Sequence, residues 1–187
     1  MANALITALL LVLIPAVALN LWLTLRLASR LRVALTREAP LTCPVDQTVP
    51  AFSGRRLTDG ELIDQATLAG QANVLVFLSS ACADCRSKLP VLLDLLAPME
   101  RHGIQCWLLS QEPEARARKF FTEHALAQRV VRLGRREYQQ LNPRGAAPLY
   151  LFVDDQQVVR AGNFIGDANW MAFVDQIRDV TPMREAS

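Results

Sequence analysis

The tightest constraint on this chain lies between residues 73 and 103, where the apolar run NVLVFLSS leads directly into Cys82, Cys85 and a stretch with helical apolar spacing. A short run this apolar reads as a strand buried on both faces. The stretch after it reads as a helix that stops at Gly103. The two cysteines therefore fall at a strand-to-helix turn, with the first at the helix amino terminus. There, N–H groups without an intrahelical partner and the helix dipole favour a thiolate. This spacing predicts Cys82 as a nucleophile and Cys85, one turn further in, as the thiol that resolves a mixed disulfide.

Two other readings compete with the redox one. A zinc site needs two further ligands at suitable spacing, and the remaining candidates, Cys43, Cys106, His102 and His124, form no second C-x-x-C and no H-x3-H pattern. No metal and no cofactor is therefore expected. Two inert core thiols would suit an apolar setting, but Ser79, Ser80, Asp84 and Arg86 around them mark an accessible turn.

From about Val49 onward strand and helix signals alternate, which predicts an α/β domain over residues 49–181 with five or so strands. IQCWLLS (104–110) is the next strand, 112–126 a single helix with Pro113 in its first turn, RVVRL a short strand and RREYQQLN a short helix. PLYLFVDDQQVVRAG (148–162) reads as two strands about an Asp-Asp-Gln turn. DANWMAFVDQIRDV closes with a helix, and residues 182–187 are left as a tail.

The amino terminus has a different composition. Residues 2–25 carry no ionisable side chain and would span about 36 Å as a helix at about 1.5 Å per residue, enough for a bilayer core. The run is long for a signal-peptide core, no Lys or Arg precedes it and no small-x-small site follows, so a retained transmembrane anchor is expected over 2–25. Residues 26–48 follow as a basic juxtamembrane helix and a proline-bearing linker. Arg26, Arg30, Arg32 and Arg37 all lie after the anchor, which by the positive-inside rule would put the domain in the cytoplasm. Dithiol chemistry is most useful on the oxidising side, and the two indications conflict. Over all 187 residues, 20 Lys and Arg balance 18 Asp and Glu for a net charge of +2, which gives no reason to expect a nucleic-acid partner.

Taken together, the strand, SSACADC, Pro90 in the following helix and the later GAAPLYLF resemble the membrane-anchored TlpA and ResA group of thioredoxin-like proteins. The resemblance implies a thioredoxin-like fold, a central mixed sheet flanked by helices. It also implies a cis proline facing the dithiol, here Pro148, with Ala147 before it offering backbone groups to an extended substrate. The x-x pair between the cysteines, Ala83 and Asp84, would tune the potential. Within the group, REAP, FLSSACADCRSKLP and the segment from EHALAQ to RAGNF resemble the MauD methylamine-utilization accessory proteins most closely. That implies a thiol-disulfide oxidoreductase whose client is the disulfide-rich small subunit of an amine dehydrogenase. It also implies a redox partner and single-pass anchoring in the bacterial inner membrane with a periplasmic domain. A generic TlpA-like reductase for cytochrome c or copper-site maturation is the neighbouring reading, and a redox-inactive anchored scaffold the opposing one.

This sequence also departs from the pattern. Many thioredoxins carry Trp before the first cysteine and a buried acid on the preceding strand, positions that here hold Ala81 and Val76. Proton transfer to or from Cys85 then needs another group, with Lys88 and Glu61 as candidates. Cys106 reads as a buried small hydrophobe, Cys43 as an exposed linker thiol able to pair or exchange, and His102 and His124 as helix-end residues. Trp170 and Phe173 read as the core face of the last helix.

Overall fold

The structure, a computed structural model, describes residues 11, 13–28, 39–122 and 124–178. The chain divides into two units, 1–39 and 40–187. In the first, residues 11 and 13–28 are helical. Ile14, Val17, Leu21, Trp22 and Leu25 are each more than half exposed on this helix, and the Arg26 guanidinium lies 5.0 Å from the Trp22 ring centre. Among the described residues no helix is long and apolar enough to cross a membrane. The rest of the expected anchor (2–10 and 12), most of the juxtamembrane segment (29–38) and the carboxy-terminal tail lie outside the described residues.

The second unit is built on a seven-stranded sheet. Its strands are β1 (Ser53–Arg56), β2 (Leu62–Asp64), β3 (Ala72–Phe77), β4 (Ile104–Ser110), β5 (Val130–Leu133), β6 (Leu149–Val153) and β7 (Val159–Phe164). The helices are α1 (Ala83–Arg101), α2 (Glu114–Phe120), α3 (His124–Ala127), α4 (Arg135–Leu141) and α5 (Ala168–Arg178). Across the sheet the order is β2-β1-β5-β4-β3-β6-β7, with β3 parallel to β4, β4 parallel to β5 and the other pairs antiparallel.

β3 is unbroken in its apolarity because both faces are covered. Side chains alternate along a strand, so Val74 and Val76 enter the core beneath α1 and α5, while Leu75 and Phe77 enter a second core with Tyr138 and Leu141 of α4. α1 buries Cys85, Leu92, Leu95, Leu96 and Met99, a stripe at helical spacing, and each buried Leu or Met contributes roughly 1.5–3 kcal/mol. The helix ends at His102 and Gly103, the latter at φ 66°, where glycine carries no Cβ penalty. On α5 the stripe is Trp170, Val174 and Ile177, and Asp167 caps the helix by accepting from Trp170 N–H at 2.8 Å. Phe173 packs its ring against Phe152 and Trp170.

Three local differences from the sequence reading have physical causes. β1 and β2 form an additional hairpin at one sheet edge, so the sheet exceeds the five or so strands expected. The single helix expected over 112–126 is broken, with α2 ending at Phe120 and α3 starting at His124. Phe120 and Phe121 are both buried, edge-on at 4.8 Å. Consecutive residues point about 100° apart on a helix, and the break turns both rings inward. Cys43 is the third: instead of an exposed linker thiol it is 2% exposed, with its N–H on Leu141 O at 3.1 Å. Residues 40–48 pack onto the sheet unit through this bond, the Thr48–Val158 bridge and the Asp46 N–H on Val159 O. Cys106 is buried in β4 as expected, 1% exposed.

Shielded thiols make stability sensitive to alkali. Burial pushes Cys43 up to about 11 and Cys106 up to about 12, so the folded chain keeps these protons at pH values where the unfolded chain loses them. The stability they support is intact below the ordinary thiol value of 9.0 and declines as pH rises toward the folded values. Each fully shielded thiol withdraws at most about 1.4 kcal/mol per pH unit across that window. The urea midpoint of the reduced protein is expected to fall between about pH 8 and about pH 10. Equal midpoints would mean that these thiols are open to solvent in the folded state.

Candidate active site

β3 and β4 run parallel with Phe77 opposite Leu109, so the chain leaves both strands at the same sheet edge. After β3 the backbone turns: Cys82 N–H donates to Ser79 O at 3.1 Å and Ala81 N–H to Ser79 Oγ at 3.3 Å. The turn ends on Cys82, extended at φ −103° and ψ 119°, which caps α1 by accepting the Cys85 N–H on its Sγ at 3.3 Å. A hydroxyl or carboxylate oxygen usually fills this position; here a sulfur does, placed where the first N–H groups of the helix converge.

The second motif meets the first across 65 positions of sequence. Cys82 Sγ lies 3.6 Å from Ala147 O, and the Ala147–Pro148 peptide is cis. Pro148 is buried and its carbonyl accepts the Ile165 N–H at 3.1 Å, tying this corner to the end of β7. Cys82, Cys85, Ala147 and Pro148 are thus brought together. Ala83 and Asp84 form the exposed first turn of α1.

The two thiols, both free, are not equivalent. Cys82 is half-buried, whereas Cys85 is 0% exposed. Burial first, then the hydrogen bond and charge of Cys82 and the charge of Asp84, push Cys85 up to about 12, against a backbone hydrogen bond from Ser79 that pulls it down. One sulfur is reachable; the other is held protonated behind it. Beside Ser80 a cleft of about 510 Å³ opens, apolar at Leu89 and Phe120 and basic at Arg86, Arg116 and Lys119. Among the described residues no cluster of three His, Cys, Asp or Glu side chains is placed to hold a metal ion.

Of the two groups expected to exchange a proton with Cys85, neither stands out. Glu61 belongs to the β1–β2 hairpin and pairs with Arg56 at 2.7 Å, with β5 and β4 between that edge and β3. Lys88 is turned toward Gly166, its Nζ 3.8 Å from where a Cβ on that glycine would sit. The sequence reading missed Glu112. Its Oε1 accepts from Ser80 N–H at 2.8 Å and from Ser79 Oγ at 3.2 Å, while its Oε2 is buried without a hydrogen-bond partner. Ser110 Oγ and Arg132 Nε hold its backbone. One signal could have found it, because loops after adjacent parallel strands share an edge and Glu112 follows the strand after the dithiol strand.

The order of the sheet, the dithiol at the carboxyl end of β3 and the cis proline facing it decide the architecture. This chain has the thioredoxin fold. Similar solved structures include the thioredoxin domain of a thiol-disulfide oxidoreductase from Bacteroides vulgatus (18% identity, TM-score 0.62, 73% of this chain and 99% of that one). A thiol:disulfide interchange protein from a Bacteroides species matches at 17% identity and TM-score 0.61, over 76% of this chain and 96% of that one. A thioredoxin-family thiol:disulfide interchange protein from Chlorobium tepidum matches at 20% and 0.56, over 74% and 95%. No family model and no curated protein matches the sequence. On this thioredoxin fold Val76 is fully buried and apolar, so the carboxylate at the dithiol loop comes from β4's end instead of from β3.

Proposed function

We propose that this protein is a thiol-disulfide oxidoreductase that acts on protein disulfides through Cys82 and Cys85. One observation carries the reading: the half-buried Cys82 Sγ caps α1 beside Ala147 O, with the buried Cys85 one turn behind it. Cys82 thiolate attacks one sulfur of a client disulfide, a Cys82–client bond forms and the other client sulfur leaves as thiolate. Cys85 then attacks Cys82, the internal disulfide forms and the client leaves reduced, two electrons having passed from the dithiol to the client. Run backwards, the same steps oxidise a client dithiol.

Resemblance to MauD supports a disulfide-rich client of the amine dehydrogenase small-subunit type. Maturation of cytochrome c or a copper site is the neighbouring reading on the same chemistry. A structural disulfide client belongs to an oxidising compartment, which supports a periplasmic domain tethered to the inner membrane. The uncharged, apolar residues 2–25 and the exposed apolar side chains on the 13–28 helix support the tether. The arginines after residue 25 speak for the other side, and a phosphatase fusion after residue 178 decides between them: activity places the domain outside the cytoplasm.

Equilibrating the full chain with glutathione buffers and counting free thiols tests the chemistry. A reversible two-thiol transition that disappears in Cys82→Ser is the expected result. If the wild type forms no reversible disulfide, the redox reading fails and an anchored scaffold takes its place.

A further inference from the structure

Asn142, at the carboxyl end of α4, is 0% exposed. Burying an amide costs stability unless its donors and its acceptor are used. Here both ends of the side chain are spent on a single residue: Oδ1 accepts the Ala146 N–H at 2.9 Å and Nδ2 donates to the Ala146 carbonyl at 2.8 Å. Asn142 thus takes both backbone groups of Ala146, as a neighbouring strand would. Its own backbone is fixed as well, the N–H on Tyr138 O at 2.9 Å and the carbonyl accepting the Gly145 N–H at 3.0 Å. Tyr138 packs edge-on against Phe77 with ring centres 5.3 Å apart, and Phe77 is the last residue of β3, just before the dithiol turn. The clamp on Ala146 is therefore held against the strand that carries Cys82.

Ala147, the next residue, faces the other way. Ala146 packs on the core of Tyr138 and Leu141, whereas Ala147 packs on the core that holds Cys85, and the Ala147 carbonyl lies 3.6 Å from Cys82 Sγ. Among the described residues the N–H of half-buried Ala147 has no acceptor. A loop whose inward residue is saturated and whose outward residue is open suits an incoming main chain, which bonds through backbone groups.

We propose that Asn142 is a positioning residue that sets the selectivity of this site for polypeptide disulfides, an inference resting on the redox reading above. By saturating Ala146 it keeps the Ala147 N–H and carbonyl aimed outward for the backbone beside a client cysteine. A disulfide without a peptide backbone gains nothing from this arrangement.

Two probes with the same leaving group test it on the reduced full chain in detergent. One is a capped Gly-Ala-Cys-Ala-Gly pentapeptide with thionitrobenzoate on its cysteine, the other the thionitrobenzoate disulfide of 2-mercaptoethanol. With either, Cys82 thiolate bonds the cysteine or mercaptoethanol sulfur and thionitrobenzoate leaves with the electron pair. Cys85 then loses its proton to solvent and displaces that sulfur as a thiolate. Each rate is divided by that of free glutathione with the same probe. The wild type is expected to favour the peptide by at least about tenfold, and Asn142→Ala, which releases Ala146, to bring the preference within about threefold. A purely structural role would slow both probes alike and keep the ratio. A preference that survives in folded Asn142→Ala, or a wild type without one, overturns the inference. If the alanine variant does not fold, amide exchange decides. The wild-type Ala146 N–H should exchange at least about tenfold more slowly than that of Ala147, and the Ala147 N–H should slow in the peptide adduct of Cys85→Ser. An Ala146 N–H as open as that of Ala147, or an Ala147 N–H unchanged in the adduct, overturns the inference as well. A wild type that keeps the peptide on Cys82 and never forms the Cys82–Cys85 disulfide refutes the redox reading itself, whatever the preference.

Discussion

Cys85→Ser is expected to trap clients covalently on Cys82. The variant retains the half-buried Cys82 sulfur beside Ala147 O and loses only the thiol 0% exposed behind it. Serine's hydroxyl is close in size, so the cap and the α1 stripe persist. In the wild type resolution is intramolecular, and well-oriented groups act at effective concentrations of roughly 10⁵ M or more. Without Cys85 the mixed disulfide waits for a free thiol from solution, at millimolar concentration or below. Escape is expected to slow by at least about 10³-fold, and client adducts should accumulate on non-reducing gels, vanish with reductant and be absent in Cys82→Ser,Cys85→Ser. Their masses identify the client, and an amine dehydrogenase small subunit among them would carry the MauD-type reading over cytochrome maturation. If Cys85→Ser forms no adducts while Cys82→Ser does, the nucleophile has been assigned to the wrong sulfur.

How much of this was readable in advance depended on the range of the interactions. The dithiol turn was legible because all its determinants are local: an apolar run, two cysteines and a helical stripe within thirty residues. Pro148 was legible only by resemblance, since nothing in its immediate sequence says that Cys82 lies across from it. β1 was not legible: SGRR is polar and only four residues long, and it is a strand because β2 and β5 pair with it on both sides. Cys43 looked like a linker residue because Pro40, Pro44 and Pro50 surround it; its burial comes from Leu141, nearly a hundred residues on. Glu112 was read only as the first residue of the helix expected over 112–126. Its partners, Ser79 and Ser80, are 33 and 32 positions upstream, and only the parallel β3–β4 register brings them to it.

Gly54 carries the largest stability effect expected in the sheet unit. A Cβ there would lie 2.6 Å from the Arg132 carbonyl oxygen and 2.6 Å from side-chain atoms of Val131 and Leu133. Side-chain tips can rotate away, but Arg132 O belongs to β5, which pairs with β1 at this register. Space is made only by parting the two strands. Overpacking of this kind costs about 1–3 kcal/mol and at times more, a large part of the roughly 5–15 kcal/mol that holds a domain together. Gly54→Ala is therefore expected to lower the urea midpoint markedly and Gly54→Val to fold poorly. The strain also has a path to the dithiol. Arg132 reaches from β5 to the Glu112 carbonyl through its Nε at 3.3 Å, so a shift of β5 moves the residue that holds Ser79 and Ser80. Folded Gly54→Ala should then resolve the mixed disulfide more slowly than wild type. An unchanged midpoint would show that β1 yields without cost, and an unchanged resolving rate in a destabilised variant would show that β5 holds Glu112 independently of β1.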